Sequence, residues 1–202
     1  MWFRLLSRDG RGWTMRLGAA VGAALALAMA GCSADYVEDS QATVLLLVSS
    51  INDGATVASD VRGDGGLIVN CAVDVTVKNV TKNPNNPGSP VENVTLQRYD
   101  VSYQRSDGRG VEGVDVPYRF SGAMTETLAV GDAKKVSIDL VRQQAKLEPP
   151  LSNITGLQIV EMTANVTFYG ETVSRATVSA SGSAAIRFAD FAKGTTTCEP
   201  GS

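Results

Sequence analysis

Three cysteines, three aspartates in turn-forming stretches and a complete lack of histidine bound the chemistry open to this chain. Without histidine there can be no Ser–His or Cys–His nucleophile pair. No Ser-x-x-Lys arrangement follows residue 32, and the carboxylates are scattered singly instead of paired for glycoside chemistry. These absences predict a protein that is not an enzyme. A two-cysteine metal site would lack a nitrogen ligand. The best metal candidates are Asp53, Asp60 and Asp64, which lie in or beside glycine-containing turns where carboxylates can converge on Ca²⁺. They lack the regular ligand spacing and the bidentate Glu of a calcium loop. The expectation is therefore that they are turn residues, and that the chain carries no metal and no cofactor.

Cys32 belongs to different chemistry. Arg4, Arg8, Arg11 and Arg16 precede an apolar stretch, LGAAVGAALALAMAGC, from Leu17 to Cys32. Its apolar part, about 15 residues, is short for a spanning helix and suits the core of a cleavable signal. It closes as Met29-Ala30-Gly31-Cys32. This segment resembles the lipobox-type signal peptide of bacterial lipoproteins: an aliphatic residue, two small residues and a cysteine. Met29 stands where Leu is usual. The resemblance covers residues 1–32 and implies cleavage before Cys32, with a diacylglyceryl and acyl lipid on its sulfur. Each buried methylene would contribute roughly 0.8 kcal/mol to anchoring in the bilayer. An ordinary secretory signal with an incidental cysteine is the alternative. Met15 offers a second start, since Met15–Gly31 would make a compact signal by itself. Ser33 and Ala34, with no Asp after the cysteine, favour an outer over an inner membrane by the same analogy.

Lipidation of Cys32 leaves Cys71 and Cys198. In an oxidising compartment they would form a disulfide closing a loop of about 126 residues, worth roughly 4–5 kcal/mol in the chain-entropy model. Two free thiols are the other reading. Removal of residues 1–31 leaves 171 of the 202 residues, enough for one domain with a real core. Four arginines and Asp9 leave with the signal, so 14 cations then face 20 anions. That acidic balance argues against nucleic acid as a partner.

The elements that must position these residues read as β throughout. Residues 32–41 are a polar tether, and 42–202 a single domain. Ala42–Ile51 is a dense β-forming run ended by Asn52-Asp53-Gly54, and 59–66 (SDVRGDGG) reads as a flexible loop. Leu67–Val80 alternates with Cys71, Val73, Val75 and Val77 on one face. Residues 82–90 contain three prolines and form a loop. Val91–Gln104 changes phase between Leu96 and Tyr99, which predicts a bulge at Gln97-Arg98. A turn at 106–110, a short strand over 114–120, and a hairpin of 124–130 with 135–142 about Gly131-Asp132 follow. Residues 143–154 read as a crossing loop with a helical turn at Gln143–Leu147. Long strands over about 156–169 and 172–189 complete the domain.

About eight strands and no long helix after the signal predict an all-β, antiparallel β-sandwich. It resembles the immunoglobulin and fibronectin-III type in architecture only; a barrel is the alternative. Tyr99, Tyr103 and Tyr118 read as core and edge fillers, with an exposed binding platform as the other option. The four Asn-x-Thr triplets, beginning at Asn79, Asn93, Asn153 and Asn165, read as ordinary strand and turn residues. The expected function is that of a membrane-anchored envelope lipoprotein acting as a structural or protein-interaction module. It would present the loops 82–90, 106–113 and 143–154, with the bilayer and another envelope protein as partners. A carbohydrate or small-ligand binding module is the alternative.

Overall fold

Alternating valines and aromatics force this chain into two facing layers, because each strand has one apolar face to bury. The computed structural model describes residues 42–63, 66–85, 87–191 and 199–200. The predicted signal and tether, Cys32, Asp64 and Cys198 lie outside the described residues. The strands are β1 (Val44–Ile51), β2 (Val57–Asp60), β3 (Cys71–Thr81), β4 (Val94–Arg105), β5 (Phe120–Leu128), β6 (Ala133–Val141), β7 (Ile159–Thr172), β8 (Thr177–Ala189) and β9 (Glu199–Pro200). The α-helix among the described residues is α1 (Gln143–Leu147). One sheet has the order β1-β3-β6, the other β5-β4-β7-β8-β2-β9. The protein is an all-β sandwich, and among the described residues its strand pairs are antiparallel except β2 with β8, which run parallel.

The core is the set of inward faces. Val73, Val75 and Val77 of β3 and Val136, Ile138 and Leu140 of β6 face Val101, Val166, Phe168, Ile186 and Phe188 of the larger sheet, all buried. The phase change in β4 is a bulge, with the register shifting between Leu96 and Arg98 against both neighbours. It turns Tyr99, Val101 and Tyr103 onto the buried face that Val94 and Leu96 already occupy. The two phenols then tie the layers together. Tyr103 donates to the Leu140 carbonyl at 2.6 Å, and Tyr99 accepts from the Asp139 amide at 3.2 Å. Burial raises the pKa of both phenols, so each stays protonated and uncharged in the core.

Three elements differ from expectation. Ser59 and Asp60 lie in β2 and not in a loop, since Val57-Ala58-Ser59-Asp60 adds to β8 beside Ile186–Ala189. Residues 114–119 form no strand; a single bridge joins Glu112 to Val116, and the strand begins at Phe120. The segments on either side of Gly131-Asp132 are not a hairpin. β5 pairs with β4 while β6 pairs with β3, so the chain arches from one sheet to the other. Asn79 provides the reason. Its amide donates to the Asp132 carbonyl, its carbonyl accepts from Gly131, and its side-chain Nδ2 donates to the carbonyls of Glu92 and Leu128. The Asn93 side chain also accepts from the Val130 amide. Backbone groups that a hairpin would pair internally are satisfied by two asparagines instead.

The two ends of the sandwich are different. At the entry end, Lys82 donates to the Thr43 carbonyl, and the buried Glu92 carboxylate accepts from Thr43 and from the Ser89 amide. These bonds hold the Glu92 carboxyl below its usual pKa, led by the Thr43 contact. The loop 82–90 is at this end. The opposite end carries Cys71, Asp60, α1, the loop 106–113 and the segment 143–154, because Cys71 registers with Val141 and Ile159 with Ala189. The expected presenting loops are thus divided between the two ends.

Candidate functional site at the far end

β2 and α1 converge at the far end, although neither carries a sequence motif. The α1 residues Gln143–Leu147 make little more than one turn, and Lys146 is the residue that this turn directs inward. Only 1 % of Lys146 is exposed, and its Nζ is buried with no hydrogen-bond partner. Desolvation pushes its pKa down to about 8, opposed by the attraction of Asp60. Asp60, at the end of β2, is itself buried; its Oδ1 accepts from the Arg62 amide at 2.9 Å.

Beside these groups opens a cleft of about 540 Å³. Its apolar wall is Val61, Ile68 and Leu151, and its polar members include Arg62, Lys146 and Asp190. The Arg62 guanidinium lies 3.7 Å from the Asp190 carboxylate and donates to the Ile154 carbonyl at 3.3 Å. The arrangement offers two cations, one of them in ordinary solvent contact and one almost wholly desolvated, on an apolar recess. It can attract and orient an acceptor group. It presents no nucleophile held by a base.

A second, smaller cleft of about 180 Å³ lies nearby, with Tyr118, Phe120, Arg142 and Glu148 among its lining. The Arg142 guanidinium stacks 4.1 Å from the centre of the Phe120 ring and hydrogen-bonds the Ser121 carbonyl. In the loop 106–113, Asp107 accepts two hydrogen bonds from the Arg109 side chain and pairs with Arg105 at 3.2 Å. The Arg109 bonds are the main reason that its carboxyl is held down at about 2. That cluster is exposed and closes its own loop.

No family model and no curated protein matches the chain. Among solved structures, one match is the solution structure of a protein put forward as late embryogenesis abundant (LEA). It has 12 % sequence identity and a TM-score of 0.43, and the alignment covers 86 % of each chain. A likeness at that level carries no argument about this chain.

The residues singled out from sequence are placed as follows. Cys71 opens β3, is fully buried and is disulfide-bonded. Its expected partner Cys198 and the expected lipidation site Cys32 lie outside the described residues. Asp53 sits in the turn after β1 and pairs with Lys135 at 3.0 Å. Asp60 is turned inward beside Arg62, and Asp64 is outside the described residues. Among the described residues, no three His, Cys, Asp or Glu side chains come together to hold a metal ion. Tyr99 and Tyr103 are core residues, whereas Tyr118 is exposed. Asn79 is wholly buried, and its Nδ2 and backbone act as a clamp. Sequence reading missed Lys146, and the only available signal was faint: a lysine inside a short helical stretch between a core strand and Pro149-Pro150.

Proposed function

We propose that this chain is a bacterial envelope lipoprotein that works by binding, with no catalysis of its own. Residues 1–31 are removed, Cys32 carries the lipid, and the sandwich is held at the membrane by its entry end. The lipobox-type run Met29–Cys32 supports the anchor, and Ser33-Ala34 favours the outer membrane. The Cys71 bond fits an oxidising compartment, with Cys198 as the proposed partner.

The observation that carries the binding reading is the far-end cleft. Its volume of about 540 Å³ lies within the roughly 300–1,000 Å³ of small-molecule sites, and it combines apolar walls with a few polar groups. This supports a small ligand, the alternative expected from sequence. Of the exposed large apolar side chains among the described residues, Leu45 and Leu47 are on β1 and Val91 and Val173 at the entry end, whereas Val111, Val114, Tyr118, Leu147, Leu157 and Ile159, with Leu67, are at the far end that carries the cleft.

The anchor is tested by mass spectrometry of the membrane fraction from cells expressing the full chain. The expected result is an N-terminal Cys32 peptide carrying diacylglyceryl, and loss of the protein from membranes on Cys32→Ala. An unmodified Cys32 in a chain still joined to residues 1–31 would overturn it.

A further inference from the structure

The far-end cleft borders a buried ammonium that no group among the described residues hydrogen-bonds. Lys146 is 99 % buried, since only 1 % of its surface is exposed, and its Nζ has no hydrogen-bond partner. A buried ammonium left this way is costly, and an opposite charge close by relieves the cost. The protein supplies only part of that relief. Asp60 attracts Lys146 but is bonded to the Arg62 amide, and Asp190 is engaged by the Arg62 guanidinium.

We propose that this cleft binds a small amphiphilic monocarboxylate. Its acid group is drawn to Lys146 and Arg62, and its hydrocarbon part lies along Val61, Ile68 and Leu151. The four-carbon stem of lysine lets the amine turn toward the cleft when an acceptor arrives. The choice of ligand follows from the charges. A cationic ligand would set a like charge beside Lys146, and a neutral one would offer Nζ a weaker acceptor than a carboxylate does. A phosphate dianion would bring more negative charge than the cleft can take, because Asp60 and Asp190 already face the two cations. One charged acceptor on an apolar body fits both the wall and the unpartnered Nζ, with less repulsion from Asp60 and Asp190 than a dianion would meet. This inference rests on reading the domain as a binding module.

The test is calorimetric titration of the full chain in lipid nanodiscs with hexanoate, using empty discs as reference and hexan-1-ol and hexylammonium as equal-length comparators. Hexanoate is expected to bind at least about tenfold more tightly than either comparator, as for a hydrogen bond to a charged group. Lys146→Met, which keeps the stem and removes the charge, is expected to lose that preference while keeping the near-UV circular dichroism of the folded core. Should Lys146→Met not fold, Arg62→Gln, at a half-exposed side chain, carries the test with an expected weakening of hexanoate of at least about threefold. Equal binding of hexanoate and hexan-1-ol, or hexanoate binding unchanged in the variant, overturns the carboxylate assignment and leaves the binding module standing. No saturable heat from any of the three probes overturns both. The lipid anchor is judged separately, by the acyl mass on Cys32.

Discussion

At the scale of single residues, the clearest consequence is that Lys146 costs the fold stability at neutral pH. Its pKa falls from 10.5 to about 8 because burial disfavours the ammonium. Between those values the unfolded chain binds more protons at this group than the folded one, so the stability contributed by this group rises with pH. The full penalty applies below about pH 8, and by linkage it is on the order of 3 kcal/mol. Urea melts should therefore show Lys146→Met more stable than the parent at pH 7, with the difference shrinking toward pH 10.5. The comparison must be a difference between the two proteins, since Tyr103 and other groups also titrate at high pH. A difference that stayed flat from pH 7 to 10.5 would mean that Lys146 keeps its ordinary pKa. This lysine was not legible in the sequence. Lysine is normally a surface residue, and only the fold of α1 onto Leu151–Asn153, with Asp60 close by, shows where this one points.

At the scale of elements, β4 and β5 illustrate what sequence can and cannot convey. The β4 bulge was legible because side chains alternate with period two, and a change of phase from Val94 and Leu96 to Tyr99 and Val101 has no other cheap explanation. The arch between β5 and β6 was not legible. Gly131-Asp132 looks the same whether the chain turns back within one sheet or crosses to the other, and the deciding bonds come from Asn79 and Asn93, more than thirty residues earlier. The four-residue β2 was hidden for a related reason: it is too short to show a period, and its pairing with β8 is parallel and remote. Pairing of β4 with β5 also makes one glycine obligatory. Tyr99 lies opposite Gly122, and a Cβ added there would fall 2.2 Å from the Tyr99 ring. Gly122→Ala should displace the ring, weaken its contacts with Phe120 and Phe168, and destabilise the fold by about 1–3 kcal/mol. A double-mutant cycle with Tyr99→Leu measures this directly. The alanine should cost much less in the Tyr99→Leu background, and a cost equal in both backgrounds would show that the ring is not what excludes a side chain at 122.

The whole molecule has a polarity that no single element shows. Composition and alternation sufficed for the sandwich, but the sorting of loops to opposite ends depends on strand order, and it divides the three expected presenting loops between the two ends. The chain enters beside the loop 82–90, while Lys146, its cleft and the loop 106–113 lie at the other end. The eleven residues of β3 run between them, a separation of roughly 35 Å at about 3.3 Å per residue. On the proposed anchoring, the nine residues between Cys32 and Ala42 let the entry end stray at most about 35 Å from the lipid. An extended tether blurs the difference between the ends, but with no second contact to the bilayer the end that carries the tether stays nearer the lipid on average. Spin labels at Asn85→Cys and Gly108→Cys, in acylated protein on vesicles carrying headgroup-chelated nickel, should report this order. The label at 85 is expected to relax markedly faster than the label at 108. Equal relaxation would mean that the domain lies on its side against the bilayer. Faster relaxation at 108 would put the Lys146 cleft against the lipid, where a carboxylate ligand would have to come from the membrane and not from solution.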